Sequence, residues 1–507
     1  MHHIFKLPYL QGIKKIVQSL KTNNMKKSIL FLLLTVLFIS CNQKQNDNIV
    51  SIKGEVLSGN AQKVEFDWIV DNPISGKGES YNAEIDSNSN FSIEIPLKRI
   101  ATGRITVGRF YHEICLIPGD DLFISVDADT IKYSGKGAEK NNYLYQSEIN
   151  RVYDRSYYKE SNKGELTPTE FLGSLKKFKQ KRINFLENYI DSVKLQKEFV
   201  DFYKLKTEII YEYLIQGYPR RYSYSSKTPI DSLELPKEYI ELNSFSNFVD
   251  DSKIGSSDYI FNLRNRLYDK ASEIAKADTL LKWNDAIYIA LFDSLSGKTR
   301  EYVLTKWIVT EFSRDNYDSI AIKKFNEIEK DELAQNTFNS ALDKFNEKRS
   351  LIGQPLHPEF SNTILRDTAG VNLSFGQMME KFKGKVVYLD FWAMGCGPCR
   401  AAMPYSKKLK DKLAGEPIEF VYLSLENIKK KYWGKVFEAT FTDKNHYVLE
   451  NGFNSRLYKF MEINWVPCYM IFDKEGKLID FNADRPSGMV ERAETKLEKT
   501  LKELASK

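Results

Sequence analysis

The segment Phe391-Trp392-Ala393-Met394-Gly395-Cys396-Gly397-Pro398-Cys399-Arg400 constrains this 507-residue chain more than any other. It overlaps the end of Val386–Trp392, a nearly continuous apolar run broken by a single acid, Asp390. Such a run reads as a buried strand of a parallel sheet. A helix is expected to start near Cys396. C-x-x-C at a strand-to-helix junction is a redox arrangement with a physical reason. The first cysteine lies at the helix N-terminus, where free N–H groups and the macrodipole favour a thiolate. The second sits one turn further in, placed to attack a mixed disulfide from inside. Two alternatives stand beside this reading. One is a structural zinc site, which needs further Cys or His ligands; the only histidines after residue 112, His357 and His446, lack ligand spacing. The other is a purely structural disulfide.

The α/β pattern begins near Leu351. Gly384-Lys385 leads into the first buried strand, and Ile418–Leu425 reads as a second. Tyr469–Phe472, the turn Asp473-Lys474-Glu475-Gly476-Lys477 and Leu478–Phe481 form a hairpin, and Val490–Leu504 a terminal helix. Asp390-Phe391-Trp392-Ala393, Cys396-Gly397-Pro398-Cys399 and Pro404 resemble thioredoxin position for position. Lys385-Val386-Val387, an insertion after Ile418–Leu425, and Val466-Pro467 followed by Asp473–Lys477 resemble the TlpA/ResA branch. The ending Asn482-Ala483-Asp484-Arg485-Pro486-Ser487 is similar to that of Bacteroidetes lipoproteins of this type.

The resemblance implies roles. Cys396 would be the attacking nucleophile and Cys399 the resolving thiol, the two forming the redox-active disulfide. Asp390 would relay a proton to or from the inner cysteine; the plainer account is a buried acid paired with a lysine, a partner it would need. Pro467 would be a cis proline beside the disulfide, a geometry that only X–Pro bonds reach at modest cost. Trp392, Gly397, Pro398 and Val466 would line the substrate groove. Three positions depart from the family pattern. Ala402 replaces an acid common three residues after the second cysteine, Gly395 replaces an aromatic, and Cys468 stands where Thr is common. Cys468 reads as a buried, inert thiol, with a third redox thiol as the alternative. No metal and no cofactor are implied.

The N-terminus carries a second signal. Met25-Lys26-Lys27 precedes the apolar run Ile29–Ile39, too short to span a membrane but suited to a signal h-region. Ser40-Cys41 then resembles the lipobox of bacterial lipoproteins, which implies lipidation of Cys41. An ordinary cleaved signal is the alternative. Residues 1–24 read as an upstream extension with Met25 the initiator, and 41–48 as a tether. The net charge of +6 comes from this end: residues 1–40 hold six lysines and no acids, which leaves 74 − 6 = 68 basic against 68 acidic residues. Nothing in that balance favours nucleic acid. Five cysteines are too few for a disulfide scaffold in so large a chain.

Residues 49–139 read as a β-sandwich, with runs Ile52–Val56, Phe91–Ile95 and Leu122–Val126 between Gly, Asn, Asp and Pro punctuation. Ile117-Pro118-Gly119-Asp120-Asp121, Ser134-Gly135 and Asn141-Asn142-Tyr143-Leu144 resemble the N-terminal domain of Bacteroidetes TlpA-like lipoproteins. Residues 140–350 read as helical. Thr167-Pro168-Thr169-Glu170 is a capping box, and helices are expected at Glu198–Ile215, Trp283–Leu295, Arg300–Phe312 and Asn336–Lys348. Gly217–Tyr224 reads as an aromatic-rich loop, fit for packing or for a partner. Residues 351–507 make the α/β redox domain, and the whole is a multidomain chain.

The expected function is a thiol–disulfide oxidoreductase of the cell envelope. It would be lipid-anchored and periplasm-facing, at the outer rather than the inner membrane. Gly-Pro between the cysteines resembles the reducing thioredoxin, at about −270 mV against about −120 mV for the oxidant DsbA. Protein disulfides would be its clients and a membrane thiol donor of the DsbD or CcdA kind its electron source. Two rivals remain open. One is a thiol peroxidase, though Leu389 and Ala393 hold the positions of that family's Pro and Thr. The other is an envelope binding lipoprotein with a vestigial redox domain.

Overall fold

The computed structural model describes residues 48–152, 166–426, 445–463, 465–486 and 495–507. The signal segment, Cys41, the tether up to residue 47, the insertion after Ile418–Leu425, Ser487 and the first turn of the expected helix Val490–Leu504 lie outside the described residues. The chain packs into two compact units. One comprises 48–71, 78–152 and 181–203; the other comprises 72–77, 166–180 and the described residues from 204 onward.

The first unit is built on two four-stranded sheets. β1 (Ile49–Val56) runs antiparallel to β4 (Asn90–Pro96) and parallel to β7 (Asp121–Asp127), which pairs with β8 (Thr130–Lys136). The second sheet has the order β3-β2-β5-β6, from β2 (Lys63–Ile69), β3 (Glu79–Glu84), β5 (Ala101–Val107) and β6 (Phe110–Leu116). Alternation along β1 and β7 turns Val50, Ile52, Leu122 and Ile124 inward, into one core with Phe66, Ile105 and Ile114 of the other sheet. This is the expected sandwich.

The sequence pattern quoted for this region closes onto the helix Ala138–Ile149. The Ile117 N–H donates to Asp120 Oδ2 at 2.7 Å, and Lys140 Nζ meets the same oxygen at 2.7 Å with both residues 1% exposed. Asn141 brackets the Cys115 peptide, accepting from its N–H at 2.8 Å and donating to its carbonyl at 2.9 Å. Gly135 lies at φ 87°, and a Cβ there would stand 2.3 Å from the Asp121 carbonyl, so only glycine fits. The pattern is a joint between sheet and helix.

The second unit carries most of the helices and the C-terminal sheet. The Thr167 capping box forms as expected: the Thr167 N–H donates to Glu170 Oε2 at 2.9 Å and the Glu170 N–H to Thr167 Oγ1 at 3.4 Å. Trp283–Ser294, Gly297–Ser313 and Glu332–Ser350 share one apolar core through Ile287, Leu291, Leu304, Ile308, Phe338 and Phe345. The expected loop at Gly217–Tyr224 is corrected. These residues continue the helix Lys197–Ser226, with Pro219 inside it. Buried Tyr218 stacks on Phe171 at 4.1 Å and its hydroxyl donates to the Leu166 carbonyl at 2.7 Å, so tertiary packing outweighs the proline and glycine signals.

The C-terminal sheet has seven strands among the described residues, in the order β10-β9-β13-β12-β11-β14-β15. The strands are β9 (Ile364–Asp367), β10 (Asn372–Ser374), β11 (Val386–Trp392), β12 (Ile418–Ser424), β13 (His446–Leu449), β14 (Cys468–Phe472) and β15 (Leu478–Asp480). All seven residues of β11 are buried, and it pairs parallel with β12 and antiparallel with β14. The sheet is therefore mixed. Its two faces carry separate apolar clusters, one through Val387, Leu389 and Phe391, the other through Tyr388, Trp392 and Cys399.

Candidate functional site

The site forms where β11 ends and the helix Gly397–Lys412 begins. Cys396 caps that helix: the Cys399 N–H donates to Cys396 Sγ at 3.1 Å. Pro398 sits in the first turn, where its missing N–H is no loss. Helical geometry then fixes an asymmetry. Cys396 is partly exposed, flanked by exposed Gly395 and Gly397, while Cys399 one turn in is fully buried. The two are joined in a disulfide. A bond with one accessible sulfur admits attack at Cys396 and shields Cys399.

Val466 and Pro467 come to the same place from the other side of β11. Their peptide bond is cis, as expected, and Cys396 Sγ lies 3.5 Å from the Val466 carbonyl oxygen. The groove expected from Trp392, Gly397, Pro398 and Val466 is only partly a surface. Gly397 and Pro398 are exposed and Val466 is half-buried, but Trp392 is 1% exposed and packs in the core beside Cys399. Its place is beneath the pair.

Asp390 lies at the middle of β11, opposite Tyr422 on one neighbour and Tyr469 on the other. Strand alternation puts it on the same face as Tyr388 and Trp392, the face that packs with Cys399. It is 1% exposed, and neither carboxylate oxygen has a hydrogen-bond partner. Burial pushes its pKa up to about 8, only partly offset by the charge of Arg485. The expected partner for this acid is thus missing, and what stands nearest in charge is an arginine of the C-terminal segment. Cys468 is buried with its thiol 3.9 Å from the Phe481 carbonyl; burial first, then Asp390, pushes its pKa up to about 12.

The sequence reading missed one acid. The Gly395 N–H donates to Glu426 Oε1 at 2.9 Å, which brings a carboxylate to the residue just before Cys396. The side left open by Gly395 is occupied: a Cβ at that glycine would stand 3.5 Å from the same oxygen. Glu426 follows β12, the parallel neighbour of β11. Ligands and catalytic groups collect at the carboxyl ends of such strands, so its position was the available signal. Among the described residues no group of three or more His, Cys, Asp or Glu is placed to hold a metal ion.

A strand, a helix-capping Cys-Gly-Pro-Cys pair, a buried acid beneath it and a facing cis proline define a dithiol protein of thioredoxin fold. A family profile described as thioredoxin-like matches residues 384–478. Thioredoxin-like protein YneN of Bacillus subtilis is 30% identical over 129 residues, which are 25% of this chain and 68% of that protein. The chain belongs to the thioredoxin-like proteins. Thiol-disulfide oxidoreductase ResA of Bacillus thuringiensis subsp. konkukian is 28% identical over 123 residues, 24% of this chain. The chain spans 65% of that protein's length. A thiol-disulfide oxidoreductase from Bacteroides fragilis, of known structure, is 22% identical, with a TM-score of 0.23 over 28% of this chain and 95% of that one.

Proposed function

We propose that the chain is a thiol–disulfide oxidoreductase of the cell envelope that reduces protein disulfides. The observation that supports this most is the unequal exposure of the pair, Cys396 accessible at the helix N-terminus and Cys399 buried behind it. In the reduced protein the Cys396 thiolate attacks one sulfur of a client disulfide. The client's other sulfur leaves as a thiolate and takes a proton. The ionised fraction of Asp390 takes the Cys399 proton and passes it to solvent, and the Cys399 thiolate attacks Cys396 Sγ. The client's second sulfur leaves as a thiolate that takes a proton from solvent, and the Cys396–Cys399 disulfide forms. Two electrons pass to the client. The cycle closes when a membrane dithiol of the DsbD or CcdA kind reduces the pair. The Val466 carbonyl, beside Cys396, offers an acceptor for client backbone.

The lipobox-like Ser40-Cys41 supports lipid anchoring at Cys41 and a periplasm-facing place at the outer membrane. An insulin-reduction assay tests the activity. Wild-type protein supplied with dithiothreitol accelerates insulin reduction, whereas Cys396→Ser gives only the dithiothreitol background. A wild-type rate equal to that background would remove the reading. Cys399→Ser traps clients as mixed disulfides on Cys396 and identifies them.

A further inference from the structure

The loop that carries Val466-Pro467 is held from the helical region as well as from its own sheet. It starts with Met461 and Glu462, after the short helix Arg456–Phe460. Glu462 meets three lysines: Lys77 Nζ at 2.7 Å, Lys344 Nζ at 3.1 Å and Lys348 Nζ at 4.0 Å. Lys344 and Lys348 lie one turn apart on the helix Glu332–Ser350. The Glu462 side chain is mostly buried. Burial alone would raise its pKa, yet Lys77 and Lys344 hold it below the usual carboxylate range. Its backbone is at φ 47°, a left-handed conformation that residues other than glycine seldom adopt without outside support.

Neighbouring contacts bind the same edge. Lys348 lies over the Phe481 ring at 5.4 Å, and the Asn482 side chain donates to the Arg314 carbonyl at 2.6 Å. Ser313 and Lys348 of the helices meet Trp465, Cys468, Phe481 and Asn482 around a cavity of about 10 Å³. Space for a water at most separates the two sides.

We infer that the helical region is a working part of the redox site: its Lys344 and Lys348, together with Lys77 from the segment between β2 and β3, clamp Glu462 and thereby set the position of the Val466–Pro467 edge that receives clients. The inference rests on the proposed oxidoreductase activity only for its consequence, not for the clamp. Glu462 is a positioning residue, since it acts through the loop and touches neither sulfur. Without the clamp, a client must order the loop as it binds, and that cost appears in binding rather than in exchange at the sulfurs.

The test uses the full chain with Glu462→Gln and, separately, Lys344→Glu. Hydrogen exchange of peptides covering Ile463–Cys468 should speed up in both variants while β11 stays as protected as in wild type. For insulin as client, KM should rise about fivefold, the loss expected of a well-formed, partly buried ion pair. The kcat and the thiol–disulfide equilibrium with dithiothreitol should not move. Unchanged loop exchange in both single variants would overturn the clamp. Faster exchange with an unchanged KM would overturn its role in receiving clients. A shifted equilibrium with dithiothreitol would overturn it as well, by placing the effect on the sulfurs. Wild-type protein that fails to reduce insulin would defeat the oxidoreductase reading alone, since loop exchange still decides the clamp.

Discussion

Asp390 concentrates the chemistry of the site in one side chain. An acid with no hydrogen-bond partner in an otherwise apolar strand keeps its proton in the folded protein up to about pH 8. In the unfolded chain a carboxyl loses it near pH ~4. Between these values the folded state holds the extra proton, so stability falls as pH rises, by at most about 1.4 kcal/mol per pH unit. Urea titrations at pH 5 and pH 8 should show this loss in wild type, and Asp390→Asn should abolish most of it. The same variant should slow release of the mixed disulfide by about tenfold or more, within the range general acid–base groups contribute. Stopped-flow exchange across pH 6–9 measures this; equal rates at every pH would make Asp390 structural. Glu426 makes a separate prediction. Its carboxylate next to the Cys396 peptide opposes a thiolate there. Glu426→Gln should therefore increase the thiolate fraction of Cys396 at neutral pH, read by thiolate absorbance in the reduced protein. An unchanged thiolate absorbance would reduce Glu426 to a cap on Gly395.

At the scale of elements, legibility in the sequence followed the locality of the determinants. β11 was readable because its seven buried residues leave one continuous apolar run. The capping box at Thr167 was readable because both its hydrogen bonds close within three residues. Gly217–Tyr224 was misread because Tyr218 owes its burial to Phe171 and Leu166, about fifty positions away, and local signals argued for a break. Glu426 escaped for the same reason, being 31 positions from the Gly395 N–H it accepts. Trp392 read as part of a groove because it adjoins the pair in sequence, but strand alternation turns it into the core. The joint of the sandwich offers a check on this scale. Burial raises the Asp120 pKa and Lys140 opposes the rise. Lys140→Met would leave that carboxylate buried without its counter-charge, at a cost of about 3–5 kcal/mol. The urea midpoint read by a probe in the sandwich should move down accordingly, and Asp120→Asn in the same chain should recover much of the loss. A curve unmoved by Lys140→Met would show that Asp120 is already neutral and the pair unimportant.

For the whole molecule, the proposed function requires something that brings the redox site to a membrane donor. Charge does not supply it, since residues 41–507 carry 68 basic and 68 acidic side chains. A balanced surface gains little from anionic lipid headgroups. Among the described residues no helix is long and apolar enough to cross a membrane. The proposed point of attachment is Cys41, preceded by the apolar run Ile29–Ile39. Two or more acyl chains at such a cysteine hold a protein at a bilayer where a single chain would let it go. Residues 42–48, polar throughout, would then separate the bilayer from the first strand. Metabolic labelling with an alkyne fatty acid should tag wild-type protein and leave Cys41→Ala unlabelled, and the variant should shift from the membrane to the soluble fraction. Oxidoreductase activity of the purified variant on insulin should be unchanged, because Cys41 lies 355 positions before Cys396 and takes no part in the exchange. Equal labelling of the two proteins would exclude lipidation at this site and leave a membrane donor without a tethered acceptor.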